Sequence, residues 1–308
     1  MYMLNRLIHS LGVILGTITL VFFILFWLPG DPAEIVAGEN ASQETIHAIQ
    51  EQLGTNRPIL QQYASYLGKL LTGDLGTSFI TNTPVLDRLL EQMVPTLELA
   101  LLAALVALLA GIALGSLSAI CHKSLLDSGI QWTALVLASM PSFWLGTLLI
   151  LLFSVRLQWL PSVGNTGLSS QILPALALGL IASGTLVRLV RSSMLDTLNE
   201  PYVLTLKAKG SGLLNIYLKH ALKNSLLPVV TLFGVLLGTL LSGTVVIEIL
   251  FARQGLGRTV IEAVGQKDIP VIQGAVLLIA SLYVLINLLV DLSYRCIDPR
   301  TQQDTQHL

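Results

Sequence analysis

The sequence predicts an all-α polytopic membrane protein with six transmembrane helices. Three observations predict it. The hydrophobic fraction is 53% and the charged fraction 11%, with a mean hydropathy of +0.75. An ordinary soluble domain carries roughly 25% charge, so this chain of 308 residues lacks the polar coat of a soluble core. Six apolar stretches reach the length of a crossing, about 20 residues at ~1.5 Å rise through a ~30 Å hydrocarbon layer. Lipid offers the backbone no hydrogen-bond partner, so each crossing is helical. The same arithmetic excludes a soluble enzyme and a disordered tail. Lys+Arg is 17 against Asp+Glu 18, so the basic excess of a nucleic-acid binder is missing. Cys121 and Cys296 are too few and too far apart for a disulfide framework.

The first span is expected at about residues 11–28 and is uncharged. It is long for the apolar region of a signal peptide, and Pro29-Gly30-Asp31 follows it instead of a small-residue cleavage site, so it reads as a retained span. Residues 30–95 form a long polar, looped region punctuated by Gly30, Pro32, Gly54, Pro58, Gly73, Gly76 and Pro84. Within it, Ile46, Ile49, Leu53, Leu60, Tyr63, Leu67 and Leu70 stand partly at helical spacing and predict two short amphipathic helices over 43–71. The second span is expected at about 96–120, the third at 130–155 and the fourth, the shortest, at 172–187. Residues 156–171 between the third and fourth are rich in Pro, Gly and Ser. Residues 188–225 are the most basic stretch and precede a fifth span at about 226–247. Residues 251–270, with Gly255, Gly257, Gly265 and Pro270, read as a loop before a sixth span at about 271–290. The expected division is 1–29, an N-terminal segment with the first span; 30–95, an outer loop region; and 96–308, a membrane core.

Six spans place both termini on one side. That side would carry Arg6, Lys123, Arg188, Arg191, Lys207, Lys209, Lys219, Lys223, Arg295 and Arg300. The other side would carry Arg57, Lys69, Arg88, Arg156, Arg253, Arg258 and Lys267, three of them in the long 30–95 loop. In short loops, where the positive-inside bias acts, the first side leads, so both termini are expected in the cytoplasm.

Catalytic motifs are sparse. The chain has no G-x-x-x-x-G-K-[ST] loop to cradle nucleotide phosphates. His9, His47, His122, His220 and His307 show no metal-ligand spacing. Uphill movement would therefore draw its energy from another subunit or from an ion gradient. Gly12/Gly16, Gly111/Gly115 and Gly234/Gly238 each put two glycines one turn apart, which lets helices approach closely. Glu98, Glu248 and Asp291 stand at span ends and read as interfacial groups. None is near mid-membrane, where a coupling ion needs a ligand, and this disfavours the alternative of an ion-gradient-driven secondary transporter.

The basic stretch carries the most information. Residues 202–210 suit a short helix that Gly210 and Gly212 end, and the following part, residues 211–220, suits a second helix leading into the fifth span. Val203, Leu204, Leu206 and Ala208 are interleaved with Lys207 and Lys209. Such a segment fits either a basic helix lying at the membrane surface or a knob for a soluble partner.

Residues 202–228 resemble the loop bearing the "EAA" motif of ABC importer permeases, with Ala208, Gly210, Ile216 and Pro228 at matching positions. Nearly the whole chain resembles the B-type subunit of the dipeptide, oligopeptide and nickel branch. Leu28-Pro29-Gly30-Asp31-Pro32-Ala33, Gly73-Asp74-Leu75-Gly76-Thr77-Ser78, Pro84-Val85, Thr96-Leu97-Glu98-Leu99, Ser139-Met140-Pro141-Ser142-Phe143-Trp144 and Leu157-Gln158-Trp159-Leu160-Pro161 occur in order. Arg188, Arg191, Ser192, Met194, Glu248, Phe251, Gly255-Leu256-Gly257-Arg258, Asp268-Ile269-Pro270-Val271 and Asp298-Pro299-Arg300 complete the set. Three positions depart from it. Lys207 stands near the place of the motif's acidic residue, Gln254 replaces a proline before Gly255, and Pro201 replaces an acidic residue before Tyr202.

The resemblance implies a type I ABC importer permease fold and a half-channel in a bacterial inner membrane. It implies a homologous second permease subunit, two ATP-binding subunits and an extracytoplasmic solute-binding protein as partners. The chain would then hold no cofactor and no catalytic residue of its own, ATP and Mg belonging to the ATP-binding subunits. The coupling loop would lie at about 199–225, with Tyr202, Thr205, Lys207, Ala208, Lys209, Gly210, Ile216, His220 and Pro228 as its site residues. Ala208 would let the helix sit deep in the ATPase, and Gly210 would permit the bend. The 30–95 loop and residues 251–270 would either touch the solute-binding protein or form a solvated lid at the outer mouth. The cargo implied is a small peptide, nickel or a metal chelate, with no substrate-binding residue singled out.

Overall fold

A computed structural model describes residues 2–27, 31–38, 41–164 and 167–297. The expected motif pieces at 28–30 and 298–300 and the histidine at 307 lie outside the described residues. The described chain is helical and separates into two compact units. One draws on residues up to Pro95 and on Gln254–Val284; the other on Thr96–Arg253 and on the described residues from Leu285.

The first unit begins with α1 (Tyr2–Phe26), α2 (Pro32–Ala37), α3 (Gln43–Leu53) and α4 (Ile59–Leu71). Each short helix has a local start signal. Asp31 accepts a hydrogen bond from the Ala33 amide at 2.9 Å, with Pro32 in the first turn of α2. Ser42 caps α3 through the Thr45 amide at 3.2 Å, and Gly54, at φ +75°, ends it in the left-handed conformation. Helices α3 and α4 are the two amphipathic helices expected over 43–71. The apolar face of α4 packs on α1. Phe22 meets Tyr63 and Tyr66 at ring-centroid distances of 5.2 and 5.6 Å, and Thr19 Oγ1 lies 2.6 Å from the Tyr63 hydroxyl. Burial, and the neighbouring Tyr63 phenol after it, push the Tyr66 phenol up to about 12.

Two expected loops are largely helical. Helix α5 (Val85–Ile120) starts well before residue 96 and runs through Pro95. Helix α12 (Leu256–Gln266) occupies most of the 251–270 stretch. Their glycines and prolines suggested loops, but tertiary burial overrides that local signal. Val85 and Leu89 of α5 share a core with Leu256 and Ala263 of α12 and with Val271 and Ala275 of α13 (Ile269–Ile297). Asp268 pins the α12–α13 turn. Its carboxylate, wholly buried, accepts from Ser78 Oγ at 2.5 Å and from the Phe79 amide at 3.0 Å, with Arg88 Nη1 at 3.9 Å.

The second unit holds the rest of α5, then α6 (Leu125–Ser139), α7 (Ser142–Leu149) running into a π-helical turn at Ile150–Arg156, and α8 (Ser169–Leu198). It continues through α9 (Pro201–Ala208), α10 (Leu213–Asn215), a π-helical turn at Ile216–Ala221 and α11 (Leu222–Leu250). The third expected span is not one straight helix. It bends by 111° between Leu125–Ser139 and Ser142–Arg156. Pro141 cannot donate to a continuing helix and forces Met140 into an extended conformation, φ −80° and ψ 139°. Five helices of the described chain are long and apolar enough to cross a membrane, and the bent pair makes six if it counts as one crossing.

The fourth span, expected to be the shortest, is a helix of 30 residues. It is the packing centre of its unit, with 61% of its apolar window buried against 33% for the next most buried span. Small residues allow this. A Cβ on Gly111 or Gly115 of α5 would fall 2.5 or 2.7 Å from the Cβ of Leu186 or Val190 on α8. The expected close approach holds at this pair. Gly234 likewise meets Val290, whereas a Cβ on Gly12 or Gly16 would meet nothing within 4 Å in this chain. On α8 itself, a Cβ at Gly184 would collide with the Ala134 carbonyl oxygen of α6. Gly184→Ala is therefore expected to destabilise this unit by about 1–3 kcal/mol, the usual cost of overpacking. Gly12→Ala should be neutral or slightly stabilising, because alanine favours an open helix position. The unfolding midpoints of the two detergent-solubilised variants check the contrast.

Candidate functional site

The 199–225 segment is built by local backbone chemistry. Helix α8 ends at Leu198, Glu200 is extended, and Pro201 opens α9 at a position where its missing amide hydrogen is not needed. Inside α9 only Val203 is fully buried, and it anchors the helix to the body of the unit. Tyr202, Leu204, Thr205, Lys207, Ala208 and Lys209 are exposed. The Tyr202 hydroxyl accepts from Asn224 Nδ2 at 2.8 Å, which ties α9 back to α11.

The end of α9 is a Schellman motif. The Ser211 amide donates to the Leu206 carbonyl at 3.1 Å and the Gly210 amide to the Lys207 carbonyl at 3.0 Å. Gly210 sits at φ +76°, the left-handed region that side chains with a Cβ avoid. A Cβ there would meet nothing within 4 Å, so the requirement for glycine is conformational and not steric crowding by neighbours. Gly212 then opens α10 in an extended conformation. Ile216, 1% exposed, anchors this second helix as Val203 anchors the first. The structure thus brings Tyr202, Thr205, Lys207, Ala208, Lys209 and Gly210 together on one exposed hook, with Ile216 beneath it. His220 lies half-buried in the π-helical turn, and Pro228 lies farther along, inside α11 and apart from the hook.

Beside the hook is a buried ion-pair network. Asp127 of α6 accepts from Arg191 Nε and Nη2 of α8, both at 2.7 Å, from Ser118 Oγ at 2.6 Å and from the Lys123 amide at 3.1 Å. Arg191 Nη2 also lies 3.1 Å from His122 Nδ1. In the sequence Arg191 stands out as an orientation charge and as a position of the motif set, and Asp127 does not stand out. Its signal was present: Ser124-Leu-Leu-Asp127 is a helix-capping pattern, and Ser124 Oγ does accept from the Asp127 amide at 3.1 Å.

A second polar cluster lies elsewhere in the unit. Glu248, expected at the interface, is inside α11 and 1% exposed, with Thr96 Oγ1 donating to its Oε1 at 2.6 Å. Arg253, 1% exposed, donates to the Ser170 carbonyl at 3.4 Å. Burial lowers the Arg253 guanidinium from its ordinary value, and Glu248 and Glu98 act against that shift. Among the described residues no group of three or more His, Cys, Asp or Glu could hold a metal ion.

The chain as a whole matches a known family. Residues 111–303 match the profile of the binding-protein-dependent transport system inner membrane component, and residues 1–100 match the N-terminal profile of such membrane components. The chain belongs to this family of ABC importer permeases. The permease is 39% identical to the dipeptide transport system permease protein DppB of Alkalihalophilus pseudofirmus, over 97% of this chain and 98% of that protein. It is 39% identical to a putative peptide transport system permease protein of Brucella abortus, over 98% of each chain. It is also 39% identical to the glutathione transport system permease protein GsiC of Salmonella choleraesuis, over 97% of each. In fold it resembles the MetNI methionine ABC transporter in two inward-facing crystal forms. The TM-scores are 0.57 and 0.58 at 18% and 19% identity, covering 68% of the permease and 95% and 96% of the matched chains. The chain is a multi-pass membrane permease subunit of an importer, as its sequence predicted, and its relatives are named as transport permeases and not as catalytic subunits.

Proposed function

We propose that this permease forms half of the path by which an ATP-driven importer takes up small peptides. The observation that carries the cargo is the 39% identity, over nearly the full chain, to permeases named for dipeptide, peptide and glutathione transport. Those names favour peptide over nickel or a metal chelate. The other half of the path is a homologous second permease. A solute-binding protein delivers cargo on the outside of the bacterial inner membrane, and two ATP-binding subunits hold ATP and Mg on the inside. Both termini lie in the cytoplasm, with the α9–α10 hook.

The hook docks on an ATP-binding subunit. Val203 and Ile216 fix its base, and the exposed Leu204, Thr205, Ala208 and Lys209 supply the contact. ATP binding draws the two ATP-binding subunits together and carries the hooks with them. The permease then tips between inward-open and outward-open states, driven by the different affinities of the partners for each state. Lys207 and Lys209 add at most about 1 kcal/mol each if their charge pairs stay at an exposed rim.

Reconstitution of the five-subunit complex in proteoliposomes tests this reading. Uptake of a labelled dipeptide should require ATP, persist when a protonophore collapses the proton gradient, and be unaffected by excess nickel. Uptake indifferent to ATP and abolished by the protonophore would establish the ion-driven alternative instead.

A further inference from the structure

A cavity of about 410 Å³ opens at the base of the hook, between the α5–α6 turn, the end of α8, α9 and α10. Its polar lining is His122, Lys123, Asn199, Lys207 and Tyr217, and no acidic residue lines it. Leu198 and Ile216 form an apolar side. The cationic wall is held in place before any ligand arrives. Lys123 sits at φ +65°, an uncommon conformation for a residue with a side chain, and its amide donates to Asp127 Oδ2 at 3.1 Å. Asp127 in turn accepts from Nε and Nη2 of Arg191.

The same network orients His122, whose Nδ1 lies 3.1 Å from Arg191 Nη2 and 3.4 Å from Asp127 Oδ2. A guanidinium only donates, so in its hydrogen bond with Arg191 a neutral His122 accepts at Nδ1 and carries its proton on Nε2. Lys123, Lys207, His122, Asn199 and Tyr217 thus line one space, while Asp127 is already paired with Arg191.

We infer that this cavity is a binding site for a phosphate-bearing anion, bridging the α5–α6 turn to α9. A tetrahedral phosphate has acceptor oxygens in several directions, which matches donors converging from separate elements, and lysine is a common phosphate partner. The apolar side admits the glycerol end of a lipid headgroup as readily as the open mouth admits soluble phosphate. Occupancy braces the hook against the body of the unit and so regulates coupling. That regulatory consequence rests on the docking role proposed above; the binding does not.

The assembled transporter in neutral detergent, without nucleotide, is offered radiolabelled inorganic phosphate in one arm and phosphatidylglycerol in the other. Saturable binding to the permease is expected in at least one arm. Phosphate alone identifies a soluble source, and phosphatidylglycerol alone a lipid source. The Lys123→Gln/Lys207→Gln variant should lose affinity at least tenfold, while Lys123→Arg/Lys207→Arg keeps it. Independently of any variant, the bound probe should protect Lys123 and Lys207 of the wild-type chain from acetylation. No saturable binding in either arm, equal binding by the glutamine variant, or unprotected lysines would overturn the inference. Wild-type ATP-driven uptake is measured on the same preparation, and its failure alongside intact binding would count against the import reading and not against the site.

Discussion

Gly210→Val is expected to abolish ATP-driven peptide uptake while the permease remains inserted in the membrane. Gly210 holds φ +76° at the end of α9. A β-branched residue pays about 1–3 kcal/mol in that conformation. The exposed hook has little packing to enforce it, since only Val203 is fully buried inside α9. The Schellman bonds from Gly210 to Lys207 and from Ser211 to Leu206 would open, and the face carrying Ala208 and Lys209 would turn away from its partner. The body of the unit lies outside this strain, so membrane levels should hold. Gly210→Asn separates conformation from side-chain loss, because asparagine tolerates the left-handed region. It should keep a substantial fraction of uptake. Initial rates in vesicles, normalised to permease content, check both variants; equal uptake by the valine variant and wild type would remove the hook from the coupling mechanism.

Asp127→Ala is expected to destabilise the permease by about 3 kcal/mol, the low end of the range for breaking a buried ion pair. The Asp127 side chain is 5% exposed and that of Arg191 23%, so some solvent reaches the guanidinium and moderates the loss. The substitution strands Arg191 and also frees Ser118 and the Lys123 amide. Replacing both partners, Asp127→Leu with Arg191→Leu, should recover part of the stability, because no unpaired charge remains. Thermal unfolding of the detergent-solubilised chain, with the yield of inserted protein, measures the set. A double variant no more stable than the single would show that the packing around Asp127, and not its charge, is the main contribution.

The hook was legible in the sequence because its signals are local. A glycine stop acts within a turn, and the structure realises it at Gly210, whereas the choice of Val203 among the interleaved apolar residues as the buried anchor depends on the body of the unit and is not legible. Helices α3 and α4 were legible through the spacing of Ile46, Ile49 and Leu53 and of Tyr63, Leu67 and Leu70; the caps at Ser42 and Gly54 emerge only in the structure. The break in the third span was not foreseen, although Pro141 marks it. Hydropathy averages over a window and stays high on both sides of a bend. Helix α12 was obscured by the glycines around it, since only burial of Leu256 and Ala263 against Val85 and Val271 makes it worth forming. Glu248 reads as interfacial because its position along the span says nothing of Thr96, which reaches it from 152 residues away in sequence. Long-range partners of this kind leave no trace in periodicity.

The most direct measurement of the docking claim is a photo-crosslink from the hook in the complete importer. A diazirine lysine analogue replaces Lys209, and a second variant carries it at Lys69 on α4 as the comparison. An adduct is expected between position 209 and an ATP-binding subunit, its yield changing with ATP, and none from position 69. Crosslinking of position 209 to the solute-binding protein, or to lipid alone in an active complex, would contradict docking by the hook.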